Sequence, residues 1–213
     1  MTLARKEIKH CDALVALYIY TGCDYSPAFA KKGKKRPLEL MLKHDRFVDM
    51  FTQLGTLMSY SEMPLEMKDT IEEFICVLYG QKNCKNINEA LHSKFCEKYK
   101  PKLHEEPLAN IKSVEPTLFP PCRSILIEHI KRTLYITKMY KNASFADPTF
   151  DMDPTDYGWE MSNSGTLMVK WFDGEQIPRE FEEKVDNMNV ESDDENFDEE
   201  SEEEENEDDE NLD

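Results

Sequence analysis

The stretch that organises the chain is residues 12–43, DALVALYIYTGCDYSPAFAKKGKKRPLELMLK. Residues 13–20 are apolar, and the Asp12 side chain before them can accept hydrogen bonds from the unpaired amides of a helix that begins there. Gly22 permits a tight turn that a side chain would obstruct. The apolar run 38–42 follows Pro37, which suits the first turn of a helix. The stretch therefore predicts two helices joined by a turn-rich loop.

The end of this loop is basic, because residues 31–36 are KKGKKR. A glycine loop that opens a helix beside cations gathers unpaired backbone amides and positive charge at one point, which is an arrangement that binds phosphate. The pattern predicts nucleic-acid binding by Gly33, Lys34, Lys35 and Arg36. A solvated surface loop is the alternative that composition alone leaves open.

A family resemblance favours the first interpretation. Gly22-Cys23-Asp24-Tyr25, followed by Gly33, Lys35-Arg36 and Leu40, resembles the helix-hairpin-helix segment of flap endonuclease and XPG-like (PIN-like) nucleases. The resemblance implies a helix that grips duplex DNA through its backbone. Asp24 then matches the last metal-binding carboxylate of that family and Gly33 matches its second loop glycine, whereas Lys31 stands where the family has the first.

A wider resemblance extends from Thr21-Gly22 to the regions 157–159 and 170–172, and it is to animal and transposon-associated proteins that carry this nuclease-like segment. Hydrolysis by two metal ions needs several carboxylates around ions about 3.5–4 Å apart. In the resembled nucleases these carboxylates precede the segment, and few residues precede Asp24 here. We therefore expect a non-catalytic remnant or fragment without a cofactor, and Mg²⁺ only if an upstream catalytic half exists. Asp24 is either a metal ligand or a helix-cap or turn residue.

The charge of the chain is concentrated at one end. The net charge is −18, and residues 186–213 hold 17 of the acidic residues and no Lys or Arg, so the remainder is close to neutral. A segment with so little to bury is expected to be disordered. Ser192 and Ser201 precede acidic runs and are candidate phosphorylation sites. This tail supports an alternative function, a protein-interaction module for basic, histone-like partners, and a truncated mobile-element product without a selected activity is a third.

Hydrophobic periodicity predicts a mainly α-helical fold. Helices are expected at 44–53, 64–78, 86–99 and 124–140, with a short one at 178–185. Alternating residues predict one small β-hairpin near 157–172, with Trp159 and Trp171 packed on the helices. The predicted divisions are a helical region at 1–100, a Pro-rich connector at 101–121, a helix with the hairpin at 122–185, and the acidic tail at 186–213.

The cysteines and the apolar runs indicate the cellular compartment of the protein. Six cysteines form no Cys-x-x-Cys pair, and no apolar run approaches the ~18 residues that a membrane span needs. A reducing, intracellular compartment is the expectation. The basic run 31–36 also matches a nuclear localisation signal and favours the nucleus.

Overall fold

The structure, a computed structural model, describes residues 3–100, 114–145 and 151–173, without the side chains of residues 3–10. Within these ranges the chain is mainly helical, and its strands form one antiparallel hairpin. The predicted mainly α fold with a single small hairpin is confirmed. The elements are α1 (Leu3–Tyr20), α2 (Lys35–Lys43), α3 (Asp45–Leu54), α4 (Leu65–Leu78), α5 (Ile87–Lys98), α6 (Arg123–Asn142), β1 (Trp159–Met161) and β2 (Leu167–Val169).

Helices α3 to α6 lie where apolar periodicity predicts them. The start of α5 shows why, because the Asn86 side chain accepts hydrogen bonds from the amides of Asn88 and Glu89 at 2.9 and 3.4 Å. The prediction that Asp12 caps the first helix is wrong, because α1 begins at Leu3 and contains Asp12. Residues 3–11 include neither glycine nor proline, so nothing interrupts the helix before Asp12.

The main core is built around an aromatic cluster between α1, α3 and α4. The ring of Tyr20, at the end of α1, lies 5.3 Å from that of Phe29 and 5.5 Å from that of Phe51. Phe74 of α4 contacts the rings of Phe47 and Phe51 edge-on, at 5.1 Å from each. Edge-to-face contacts suit the charge distribution of aromatic rings and add to the free energy of burial. The C-terminal turn of α1 is therefore held from several sides.

The hairpin packs on α6 through a second, smaller cluster. Its register pairs Trp159 with Val169 and Met161 with Leu167. Trp159 is buried against Ile19 and Ile136, and its ring meets Tyr135 at 4.9 Å. The prediction that Trp159 packs on the helices is therefore confirmed. The core packing predicted for Trp171 is wrong, since that side chain is 53% exposed and lies beyond the end of β2.

One arginine ties α6 to the hairpin. Arg132 Nη1 donates to the carbonyl oxygens of Gly158 and Lys170 at 2.7 and 2.6 Å, so it joins the chain on both sides of the hairpin. Gly158 has a φ of +83°, and a Cβ there would lie 2.6 Å from the carbonyl oxygen of Glu128. Burial lowers the pKa of Arg132 to about 10, against the opposing effect of the nearby Glu128 carboxylate. The contact between α6 and the base of the hairpin therefore needs both the buried guanidinium group of Arg132 and a glycine at position 158.

Several expectations fall outside the described residues. These are most of the connector, at 101–113, the helix at 178–185, the acidic tail at 186–213, and Ser192 and Ser201 within it. All six cysteines are among the described residues, and none of them forms a disulfide bond. Among the described residues no helix is both long enough and apolar enough to cross a membrane.

A buried histidine connects α6 to the end of α1. His129 is 5% exposed, and its Nε2 lies 2.7 Å from the carbonyl oxygen of Tyr20. Because a carbonyl only accepts, Nε2 carries the hydrogen. The imidazole ring also meets the rings of Tyr20 and Phe29, at 5.2 and 4.9 Å. Burial lowers the pKa of His129 to about 4, and the positive charge of Arg132 contributes to the decrease.

The lowered pKa of His129 predicts that the protein loses stability in mild acid. The unfolded chain binds a proton at His129 below its ordinary pKa of about 6.5, whereas the folded chain does so only near 4. The free energy of unfolding should therefore fall as the pH drops from 6.5 to 4, by roughly 3 kcal/mol from this residue at most. Urea unfolding at a series of pH values measures the slope. The His129→Gln variant should show a shallower slope than wild type over this range.

The matched control is His92→Gln, since the His92 side chain is exposed on α5. Its pH slope should equal that of wild type. If His129→Gln and wild type lose stability in parallel between pH 6.5 and 4, His129 is not held in its neutral form by the fold.

Candidate nucleic-acid interface

The loop 21–34 leaves α1 through a turn that requires glycine. The amide of Gly22 donates to the carbonyl oxygen of Ile19 at 3.0 Å, and Gly22 has a φ of +105°. A Cβ at this position would lie 2.6 Å from both Cα and Cβ of Ala28. A side chain is therefore excluded twice, by the backbone conformation and by the close approach of the loop. The predicted tight turn at Gly22 is confirmed.

Asp24 lies at the tip of the next turn. The backbones of Cys23 and Ser26 exchange two hydrogen bonds, of 3.0 and 3.2 Å, which leaves Asp24 and Tyr25 exposed between them. In the ranges the structure describes, no three His, Cys, Asp or Glu side chains come together in a group that could hold a metal ion. The metal-binding role of Asp24 stays a prediction, and its observed position is that of a turn residue.

Two residues with left-handed backbone conformations shape the basic end of the loop. Lys31 has a φ of +58° and Gly33 a φ of +60°. This conformation costs a non-glycine residue about 1–2 kcal/mol, and Lys31 adopts it at a position where the resembled nucleases have glycine. The Lys31 ammonium group forms an ion pair with Glu115, an exposed pair. Among the described residues, apart from its two chain neighbours, no atom lies within 4 Å of where a Cβ of Gly33 would be, so the space beside this glycine is open.

Lys34 is bound within the protein. Its ammonium group donates to the carbonyl oxygens of Tyr18 and Gly22 and, at 3.0 Å, to Oγ1 of Thr21. It also lies 4.2 Å from the centre of the Tyr18 ring. A cation at a helix C-terminus is stabilised by the unpaired carbonyls and by the helix dipole. The structure thus gives Lys34 a local role, as a link between the end of α1 and the start of α2.

Lys35 and Arg36 begin α2 and are directed to solvent. The Lys35 side chain is 90% exposed, and its ammonium group lies 4.0 Å from Glu39, which is a weak contact between exposed groups. Arg36 is exposed and has no ion-pair partner among the described residues. The residue before α2, Lys34, makes no side-chain cap, and the first turn carries no acidic residue. The N-terminus of α2 is therefore positive and uncapped.

Two further cations, neither of them among the predicted binding residues, lie near this point. Lys32 lies over the ring of Tyr79, with Nζ 3.9 Å from the ring centre. Burial lowers the pKa of Lys32, and the positive charges of Arg36 and Lys94 lower it further. Lys94 belongs to α5 and forms an ion pair of 2.8 Å with Glu97. The packing of α5 brings Lys94 close to the loop, and no local pattern in the sequence signals that proximity.

The chain matches none of the protein-family models, curated proteins or solved structures with which it was compared.

The geometry of Lys34 predicts a difference between neighbouring lysines. Lys34→Ala removes the hydrogen bonds to the end of α1 and should lower the free energy of unfolding by about 1 kcal/mol. Lys35→Ala removes the same charge from a fully solvated position, and its effect should stay within about 0.5 kcal/mol. Urea unfolding at neutral pH compares the two variants. Equal stabilities would show that Lys34 does not hold α1 and α2 together.

Proposed function

We propose that this protein binds the sugar-phosphate backbone of duplex nucleic acid through residues 31–36, as a non-catalytic relative of the flap-endonuclease-like segment. The observation that carries the proposal is the uncapped N-terminus of α2, with Lys35 and Arg36 exposed beside it. Gly33, with a φ of +60° and open space around it, permits close approach of a phosphate to the backbone. Metal-dependent cleavage that disappears in Asp24→Ala would contradict the non-catalytic part of the proposal.

The physical basis of the binding is electrostatic. Unpaired amides at a helix N-terminus carry partial positive charge and point toward an anion, and side-chain cations add to the same field. Lys32 lies close enough to Arg36 for their charges to interact, which makes the field stronger than the two exposed residues alone produce. Contacts of this kind position a protein on nucleic acid without reading sequence. Affinity should therefore depend on salt and hardly at all on base sequence.

The predicted binding residues fall into two groups. Lys35, Arg36 and the backbone at Gly33 are available to a ligand, whereas the Lys34 ammonium group already has partners. We assign direct phosphate contact to the first group. Lys34 contributes by holding the start of α2 against the end of α1.

The acidic tail supports an alternative function. Residues 186–213 contain 17 acidic residues and no basic ones, which is a composition that attracts basic proteins such as histones. A pull-down with purified histones distinguishes the two functions. Binding that is lost on deletion of 186–213 and unaffected by Lys35→Ala/Arg36→Ala supports the alternative.

The first prediction of the proposal concerns charge. Lys35→Ala/Arg36→Ala should weaken binding to two unrelated duplexes by the same factor. The slope of log affinity against log salt should also become shallower, by about 0.9 for each phosphate that the variant no longer neutralises. Fluorescence anisotropy between about 50 and 200 mM salt measures both quantities.

The matched control is Lys43→Ala/Lys85→Ala, which removes the same net charge elsewhere. Lys43 is in the last turn of α2, and Lys85 lies beside the acidic side chains of α4. This variant should keep the wild-type salt slope. If both double variants reduce the slope equally, binding is a diffuse effect of total charge and residues 31–36 do not form the interface.

A second prediction separates backbone contact from charge. Gly33→Val removes no charge, but its branched side chain fills the open space beside the backbone and disfavours the left-handed conformation. DNA affinity should fall at constant net charge. Gly165→Val is the control, because Gly165 also has a positive φ, of +78°, and also has open space around it, at the tip of the hairpin. That variant should bind as wild type. If Gly33→Val binds normally while the charge variant does not, the backbone takes no part and the helix-hairpin-helix interpretation is wrong.

A further inference from the structure

A concave surface lies on the side of the loop that faces α6. It is a groove of about 340 Å³ between loop residues 27–30, Tyr79, most of the segment 116–121, one side of α6, and Trp171. Four prolines and the rings of Phe29, Phe119 and Trp171 make its walls largely apolar. Its volume falls in the range of small-molecule sites. None of the residues proposed above to contact phosphate lines it.

The wall from α6 contains a buried guanidinium group with unused donors. Arg132 is 0% exposed, and its Nη1 is committed to the carbonyl oxygens of Gly158 and Lys170. Its Nε and Nη2 are also buried, and neither has a hydrogen-bond partner among the described residues. A buried polar group without a partner costs about 1–3 kcal/mol, and more when it is charged. The fold therefore holds a donor pair that a ligand can satisfy.

The positive charge of Arg132 also lacks a direct counterion among the described residues. The nearby acidic side chain, Glu128, is buried and forms its ion pair with Lys131, at 2.6 Å. The other polar residue of this wall, His129, is neutral, because burial lowers its pKa to about 4 against the opposing effect of its hydrogen bond to the Tyr20 carbonyl. At the rim, Lys32 lies over the Tyr79 ring that lines the groove. The charges around the groove thus favour an anion.

We propose that this groove binds a carboxylate attached to an aromatic or branched apolar body. The carboxylate accepts hydrogen bonds from Nε and Nη2 of Arg132, a side-by-side donor pair that matches the two oxygens of a carboxylate. The prolines and rings of the wall receive the apolar body. Because both nitrogens are closed to solvent, a wall side chain must move to admit the ligand, and we assign that movement to the 53% exposed side chain of Trp171.

The test uses the full chain and phenylacetate as the probe, with phenylacetamide as the neutral isostere. Phenylacetate should shift the indole N–H signal of Trp171 in a saturable way in ¹H–¹⁵N NMR spectra, and the signal of Trp159, which does not line the groove, should move less. Phenylacetamide should bind at least tenfold more weakly, because it carries no charge to pair with Arg132. Equal affinity for the acid and the amide would overturn the proposal. This comparison needs no variant, so it does not depend on a mutant folding.

Variants then locate the site. Ala30 is a half-buried residue of the groove wall, and Ala30→Phe should occupy the space and weaken phenylacetate binding at least tenfold. Ala143→Phe, at an exposed position after α6, adds the same side chain outside the groove and should bind as wild type. Arg132→Lys keeps the charge but loses the donor pair and should also lose tenfold or more. Unchanged binding in Ala30→Phe, with Ala143→Phe also unchanged, would place the ligand elsewhere.

Two further arms define the ligand and separate the two sites. A short peptide ending in phenylalanine, compared with its C-terminal amide, tests whether the carboxylate comes from a peptide terminus. A preference for the free-acid peptide over phenylacetate assigns the groove to peptide termini, and the reverse assigns it to small acids. Lys35→Ala/Arg36→Ala should leave phenylacetate affinity within twofold of wild type. A larger loss would mean that the carboxylate binds at the nucleic-acid interface and not in the groove.

Discussion

The structure depends on how the last carbonyl oxygens of α1 are satisfied. A helix leaves the carbonyls of its last turn without intrahelical partners. Here the carbonyl of Tyr20 accepts from His129 of α6, at 2.7 Å, and Lys34 donates to the carbonyls of Tyr18 and Gly22. The same turn therefore fixes α6, the loop and the start of α2. The hydrogen bonds that end a single helix thus also position the candidate interface.

This arrangement accounts for the polar groups in the interior of a small domain. His129 and Arg132 are on one face of α6, one turn apart, and both donate to backbone carbonyls outside their own helix. His129 reaches the end of α1, and Arg132 reaches the hairpin. An apolar residue at position 129 would leave the buried Tyr20 carbonyl without this partner, which is costly. Helix α6 is therefore a connector whose polar side chains assemble the elements around it.

The sequence was sufficient for most of the backbone and for a smaller part of the site. Helices α3 to α6 and the hairpin follow from apolar periodicity, because burial of one face determines those elements. Lys34 could not be separated from Lys35 by sequence, since their roles differ only through the position of the end of α1. The buried roles of His129 and Arg132 were not foreseen either, because a polar residue in an amphipathic helix is normally assigned to its solvent face. The start of α1 differs from the prediction because an aspartate inside a helix, such as Asp12, precedes the same apolar pattern as an aspartate that caps one.

The glycine at position 158 has a consequence for how the surface of this protein can be altered. A Cβ there would lie 2.6 Å from a backbone oxygen of α6 and 3.0 Å from Arg132 Nη1. The contact between the base of the hairpin and the helix therefore has no room for even one methyl group. The tip of the hairpin, at 162–166, has no comparable constraint, and Gly165 is surrounded by open space. A spectroscopic label or an inserted epitope is therefore best placed at the tip. An attachment at the base would act as a wedge between the hairpin and the helix that supports it.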